Sequence, residues 1–221
     1  MTAQRIFRVS KEEIPVVTKD PGMAAIIREY GGVPMVPRSE RNYIDTEDRV
    51  IMENNMAAIS VNSSGVLVFN GKEYRCAIGK GGVSTDKKEG DGATPAGCFP
   101  LREVFYRQDR IPDLHAPLPM SPLSPDDGWC DDPRDPSYNR KVKLPYVASA
   151  ESLWRDDHLY DVIVAVGYND DPPVPGKGSA IFMHVARENY SPTAGCIALA
   201  EQDLREILGF LSPDVRICIA A

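Results

Sequence analysis

From residue 57 onward, apolar and polar positions fall into short runs separated by turn formers, the pattern of a β-rich domain. Ala58-Ile-Ser-Val61, Val66-Leu-Val-Phe69 and Glu73-Tyr-Arg-Cys-Ala-Ile78 are separated by Asn62-Ser-Ser-Gly65 and by Asn70-Gly71. Asn-Gly between apolar runs predicts a two-residue hairpin turn, because both turn positions need positive φ. The three runs therefore predict a meander. Gly79 to Gly92 reads as a mobile loop bordering a cleft. Its glycines do not make a P-loop, since no Gly-Lys-Ser/Thr ending and no helix follow. Thr94-Pro95-Ala96-Gly97 predicts a turn into a strand from Cys98 to Tyr106. Leu159 to Gly167 is a further apolar strand, and Ser179 to Ala186 reads as a buried one carrying His184 near its end. Leu199, Leu204, Ile207, Leu208 and Leu211 then mark one face of a helix that starts with acidic residues, and Val215 to Ile219 closes the chain as a strand.

Two stretches break this pattern. Residues 1–56 read as an N-terminal extension with one short helix: Asp20 caps it, Pro21 takes the first helical position, and Met23, Ile26, Ile27 and Tyr30 share a face before Gly31-Gly32. Residues 107–158 form a long insertion, rich in Pro and Asp, expected to be irregular and to wall or cover a cleft with Trp129 and Tyr138 as anchors. Its Asp126, Asp127, Asp131 and Asp132 lack the ligand spacing of a calcium loop, so no metal and no cofactor is expected. The fold class is thus mainly β, a sandwich or barrel with one or two short helices, over residues 57–221.

Composition narrows the function. A net charge of −7 disfavours binding to a nucleic-acid backbone. No run is long enough to span a bilayer, and the first residues lack the apolar core of a secretory signal. The five cysteines, Cys76, Cys98, Cys130, Cys196 and Cys218, include no CxxC pair, which argues against a zinc site and a disulfide framework alike. Cys76 and Cys218 read as core.

Cys196 reads differently. It follows Gly195 directly, just ahead of the helical pattern, in Ser191-Pro-Thr193-Ala-Gly195-Cys196-Ile-Ala-Leu199. The thiolate is the nucleophilic form of cysteine, and an imidazole such as that of His184 can take the thiol proton. Glycine before the cysteine lets backbone N–H groups face a developing oxyanion. His115 and His158 lie in polar stretches and read as surface residues.

These residues resemble the active-site signature of the L,D-transpeptidase catalytic domain (YkuD-type) family. His184 matches the family's strand histidine, Thr193-Ala-Gly-Cys196-Ile197 its cysteine segment, and Thr94-Pro95-Ala-Gly97-Cys-Phe99 its Thr-Pro-x-Gly-x-Phe segment. Val185, Ala194 and Ala198 stand where many members carry Gly, His and Arg. The resemblance implies acyl transfer on peptidoglycan stem peptides through a thioester at Cys196. His184 would be the general base, and Gly195 with the Cys196 amide the oxyanion hole. Ser179, Arg187, Tyr190 and Thr193 are candidate substrate-binding groups: Thr193 to hold the loop or the imidazole, Arg187 to bind a substrate carboxylate. The departures keep an L,D-carboxypeptidase or amidase of the same fold in play, and loss of activity would leave a wall-binding module. Such a substrate implies the periplasm or cell wall; the absent signal leaves the cytoplasm as the alternative. A monomer is the default expectation.

Overall fold

The computed structural model describes residues 58–221, so the expected N-terminal helix lies outside the described residues. The meander forms as expected: β1 (Ala58–Val61), β2 (Val66–Phe69) and β3 (Lys72–Ala77) pair antiparallel in sequence. Asn70 and Gly71 take φ of 50° and 75°, the left-handed pair that a tight hairpin turn needs.

The main sheet closes on itself. Its remaining strands are β6 (Gly97–Tyr106), β7 (Met120–Pro122), β11 (Val162–Val166), β12 (Phe182–Val185), β13 (Ile197–Leu199) and β14 (Arg216–Ile219). Their order is β11-β12-β13-β3-β2-β1-β14-β6-β7, and β6 also pairs with β11. The ten-residue β6 makes both seams: Gly97 to Pro100 pair with β14, and Leu101 to Tyr106 with β11. The β6–β11 pairing closes the ring, and β7, paired with β6 alone, remains outside it as an edge strand. Ile59, Leu67, Val104, Met183 and Ile197 fill the core, joined by Leu204, Ile207 and Leu208 from helix α1 (Glu201–Leu208). α1 is the single α-helix among the described residues. It has no side-chain cap, but Glu201 and Asp203 sit in its first turn, where the helix dipole favours negative charge.

The continuous apolar run of β11 has a structural cause: all five residues are buried, because both faces are covered. Val162, Val164 and Val166 point into the main core. Ile163 and Ala165 point outward into a second cluster with Phe105, Leu123, Leu153, Tyr160, Phe182 and Cys196. The 107–158 insertion supplies Leu123, Leu153 and the flanking Trp129 of that cluster. It is more regular than its composition implies. Strand β8 (Asp127–Cys130) pairs antiparallel with both β9 (Lys141–Lys143) and β10 (Ala150–Ser152) to make a small sheet.

Two further expectations are corrected. The Gly79–Gly92 stretch is tied down rather than loose. β4 (Val83–Ser84) pairs with β5 (Thr94–Pro95), buried Lys87 binds Asp91 at 2.6 Å, and the Glu89 carboxylate accepts hydrogen bonds from Tyr138 and Ser179. Cys218 is not a core thiol: it faces Cys98 across β6 and β14, and the two form a disulfide. Cys76, Cys130 and Cys196 are free and buried.

Candidate active site

Cys196 lies at the end of the loop that joins β12 to β13. Gly195 before it has φ 142°, and a Cβ there would sit 2.8 Å from the Ala93 carbonyl oxygen, so a larger residue would push the loop off its floor. Thr193 pins the same loop. Its hydroxyl accepts from the Gly195 N–H at 3.1 Å and donates to the Cys196 carbonyl at 2.6 Å. Its backbone N–H donates to Ile78 and its carbonyl accepts from Lys80, both at 2.9 Å. Beneath, the buried Thr94 hydroxyl accepts from the Gly79 N–H at 2.8 Å. The Thr-Pro segment and the cysteine segment, distant in sequence, are thus floor and seat of one loop.

β12 and β13 run parallel with His184 opposite Ala198, which places Cys196 across from Phe182. Side chains alternate along a strand, so Phe182 and His184 share a face. That face is the one covered by the insertion, because Met183 and Val185 enter the main core while Phe182 and Cys196 belong to the second cluster. Cys196 and His184 are therefore diagonal neighbours on one side of the sheet.

Both groups are enclosed, with relative exposures of 7 % for Cys196 and 6 % for His184. The Cys196 Sγ donates to the Ala180 carbonyl at 3.2 Å and accepts from the Phe182 N–H at 3.4 Å. Burial pushes its pKa up to about 12, with the nearby Glu151 carboxylate adding to the rise. Burial lowers the His184 pKa to about 4. His184 Nδ1 lies 2.8 Å from the Val185 carbonyl, and a carbonyl only accepts, so Nδ1 carries a proton; the Leu159 backbone also hydrogen-bonds the ring, and both contacts favour its protonated form against burial. The resting pair is a neutral thiol and a neutral imidazole.

The other candidate residues divide. Thr193 holds the loop. The Ser179 hydroxyl donates to Glu89 at 2.7 Å, and Tyr190, at φ 54°, lies under the Arg75 guanidinium at 4.2 Å. Arg187 is exposed. Gly195 spends its N–H on Thr193, whereas the Cys196 N–H donates no hydrogen bond among the described residues. His115 and His158 are exposed, the latter bound to Asp161 at 2.6 Å. Three of the four aspartates singled out in the insertion are taken by cations, Asp126 and Asp127 by Lys143, Asp127 also by Lys141, and Asp132 by Arg134; Asp131 has no cation partner among the described residues, and its Oδ1 is buried without a hydrogen bond.

The sequence model of the L,D-transpeptidase catalytic domain (YkuD) matches residues 54–219. The chain belongs to that family. Among solved structures it is similar to the helical cell shape determining protein Pgp2 from Campylobacter jejuni, at 15% identity over 74% of this chain and 47% of that one, with a TM-score of 0.36. It is also similar to an L,D-transpeptidase from Mycobacterium smegmatis, at 13% identity over 75% of this chain and 59% of that one, with a TM-score of 0.35. L,D-transpeptidase 1 of Mycobacterium tuberculosis matches at 10% identity over 76% and 60%, with a TM-score of 0.35. The chain thus spans about half to three-fifths of these structures' length. No curated protein matches the sequence.

In this L,D-transpeptidase-family domain, the insertion and the turn that follows it bring residues to the cysteine and histidine that sequence reasoning passed over. The Tyr160 ring meets the His184 ring edge-on, with centroids 5.2 Å apart, and its hydroxyl donates to Glu151 at 2.8 Å. Burial raises the pKa of both Tyr160 and Glu151. Arg155 and Asp157, paired at 2.8 Å, set opposing charges near His184. Tyr160 opens the apolar β11 run and could have been suspected there. Glu151 sits in a polar stretch that no periodicity marks.

Proposed function

We propose that the protein is a cysteine acyltransferase that acts on peptidoglycan stem peptides, with Cys196 as nucleophile and His184 as general base. The observation that supports this most is the shared face of Cys196 and His184, with the imidazole buried and neutral. In this reading Cys196 attacks the carbonyl before the terminal D-residue while His184 takes the thiol proton. Because the resting pair is neutral, proton transfer accompanies attack instead of preceding it. The Cys196 amide stabilises the oxyanion, with Gly195 shaping the loop. His184 then protonates the departing amine, leaving a thioester. Attack by a stem-peptide amine gives a cross-link; attack by water gives a shortened stem.

Hydrolysis is the second reading, because Ala194 and Ala198 replace a histidine and an arginine common in the family. Incubation with purified muropeptides and mass analysis separates the outcomes. Cross-linked dimers support transfer and shortened stems support hydrolysis. Neither product would overturn both readings and leave a wall-binding module. We assign the protein to an extracytoplasmic compartment. The Cys98–Cys218 disulfide favours this, since such bonds persist where the surroundings are oxidising. Cell fractionation with non-reducing electrophoresis tests it, and a reduced protein confined to the cytosol would refute it.

A further inference from the structure

The two backbone groups that touch the Cys196 sulfur, the Ala180 carbonyl and the Phe182 N–H, are both braced by the 107–158 insertion. Trp129 packs edge-on against the Phe182 ring, with centroids 5.1 Å apart. Asn139 braces Ala180. Its Oδ1 accepts from the Ala180 N–H at 3.1 Å and from Trp129 Nε1 at 2.9 Å. Its Nδ2 donates to the carbonyls of Tyr168 at 3.0 Å and Asn169 at 2.7 Å. Every donor meets an acceptor, so the amide has one satisfactory orientation; flipping it would oppose like to like four times. Asn139 is 3 % exposed, and both it and Ala180 take left-handed backbone, at φ 56° and 51°. For alanine that conformation is uncommon and needs outside support. Here it aims the Ala180 carbonyl at the thiol.

We propose that Asn139 is a positioning residue for the nucleophile: through Ala180 it holds the Cys196 thiol at one place and angle against β12. The insertion then builds the nucleophile's seat as well as covering it. This rests on Cys196 being the nucleophile. Held S–H to the carbonyl favours the protonated thiol. Freeing that carbonyl lets the sulfur ionise more easily and also wander. A small, undemanding electrophile should gain from the change, while a reaction needing exact approach should lose, since misplacement by 1 Å can cost about 100-fold.

The test uses Asn139→Gly, which removes the amide while tolerating positive φ, in the full chain. The pH dependence of iodoacetamide alkylation is followed at Cys196, Cys76 and Cys130 by peptide mapping, beside acyl transfer to muropeptides. The expected result is a Cys196 alkylation midpoint about half a pH unit lower, with Cys76 and Cys130 unchanged. Acyl-transfer kcat should fall at least about tenfold with KM altered less than about twofold. Trp129→Phe, which removes one of the bonds that orient Asn139 but keeps the ring, should shift the midpoint the same way by less; it carries the test if Asn139→Gly does not fold. An unchanged midpoint and kcat, or a loss that brings all three thiols up together, overturns the positioning role. A wild-type Cys196 no more reactive than Cys76 and Cys130 would instead overturn the nucleophile assignment beneath it.

Discussion

His184→Gln should remove a specific acid sensitivity from the fold. The imidazole is buried and neutral, with its pKa lowered from 6.5 to about 4 by desolvation, which outweighs the Val185 carbonyl. A folded-state pKa below the unfolded value means that the unfolded chain binds the proton more readily between those limits. Stability is then full above about pH 6.5 and is lost as pH falls toward 4, below which the loss is constant. Integration gives a loss of about 2 kcal/mol by pH 5 and about 3 kcal/mol by pH 4, relative to pH 7. The assay is urea unfolding of wild type and His184→Gln at pH 7, 5 and 4. Carboxylates titrate in the same range but are common to both proteins, so the difference between them isolates the imidazole. The wild type should lose about 3 kcal/mol more than the variant between pH 7 and 4. A difference near zero would refute the buried neutral base by showing an unshifted imidazole, and a wild type that gains relative to the variant would imply an imidazole paired with an anion.

Other consequences follow from the same contacts. Reducing the Cys98–Cys218 bond, or replacing both cysteines by Ser, releases a 120-residue separation; chain entropy sets the loss at about 5 kcal/mol, read by urea midpoints with and without the bond. Gly195→Ala should cost at least about 1 kcal/mol and most of the activity, because its Cβ meets the Ala93 carbonyl; a fully active variant of unchanged stability would show that the loop has another floor. Phe182→Ala should destabilise the domain by about 3–5 kcal/mol, since its ring is buried between Trp129 and Tyr160. Glu151→Gln should move the alkylation midpoint of Cys196 to lower pH, the negative charge beside the thiol being removed; an unmoved midpoint would mean that the carboxylate is not felt at the sulfur.

The sequence carried the strands well where their pattern was forced by burial. Asn70-Gly71 announced its hairpin because few other residues take that backbone, and β11 announced itself because both its faces are covered. The short strands of the insertion were hidden: Lys141–Lys143 and Ala150–Ser152 are three residues each, polar or half-buried, and leave no apolar run to read. The disulfide was illegible for another reason, since only the register of β14 on β6 brings Cys98 to Cys218. At the site, Cys196, His184 and the Thr94 segment stood out through motif resemblance. Asn139 did not, because in a stretch rich in Pro and Asp an asparagine reads as one more turn former. What distinguishes it is four simultaneous hydrogen bonds, a property of the folded chain.

The central claim concerns one covalent bond, and intact-mass analysis reads it directly. The protein is mixed with a tetrapeptide stem donor and quenched in acid within the first turnover. The account predicts one acyl adduct, mapped to Cys196, absent from Cys196→Ala and formed at least about 100-fold more slowly in His184→Gln. An adduct that persists in Cys196→Ala, or product that accumulates from that variant at the wild-type rate, would contradict it.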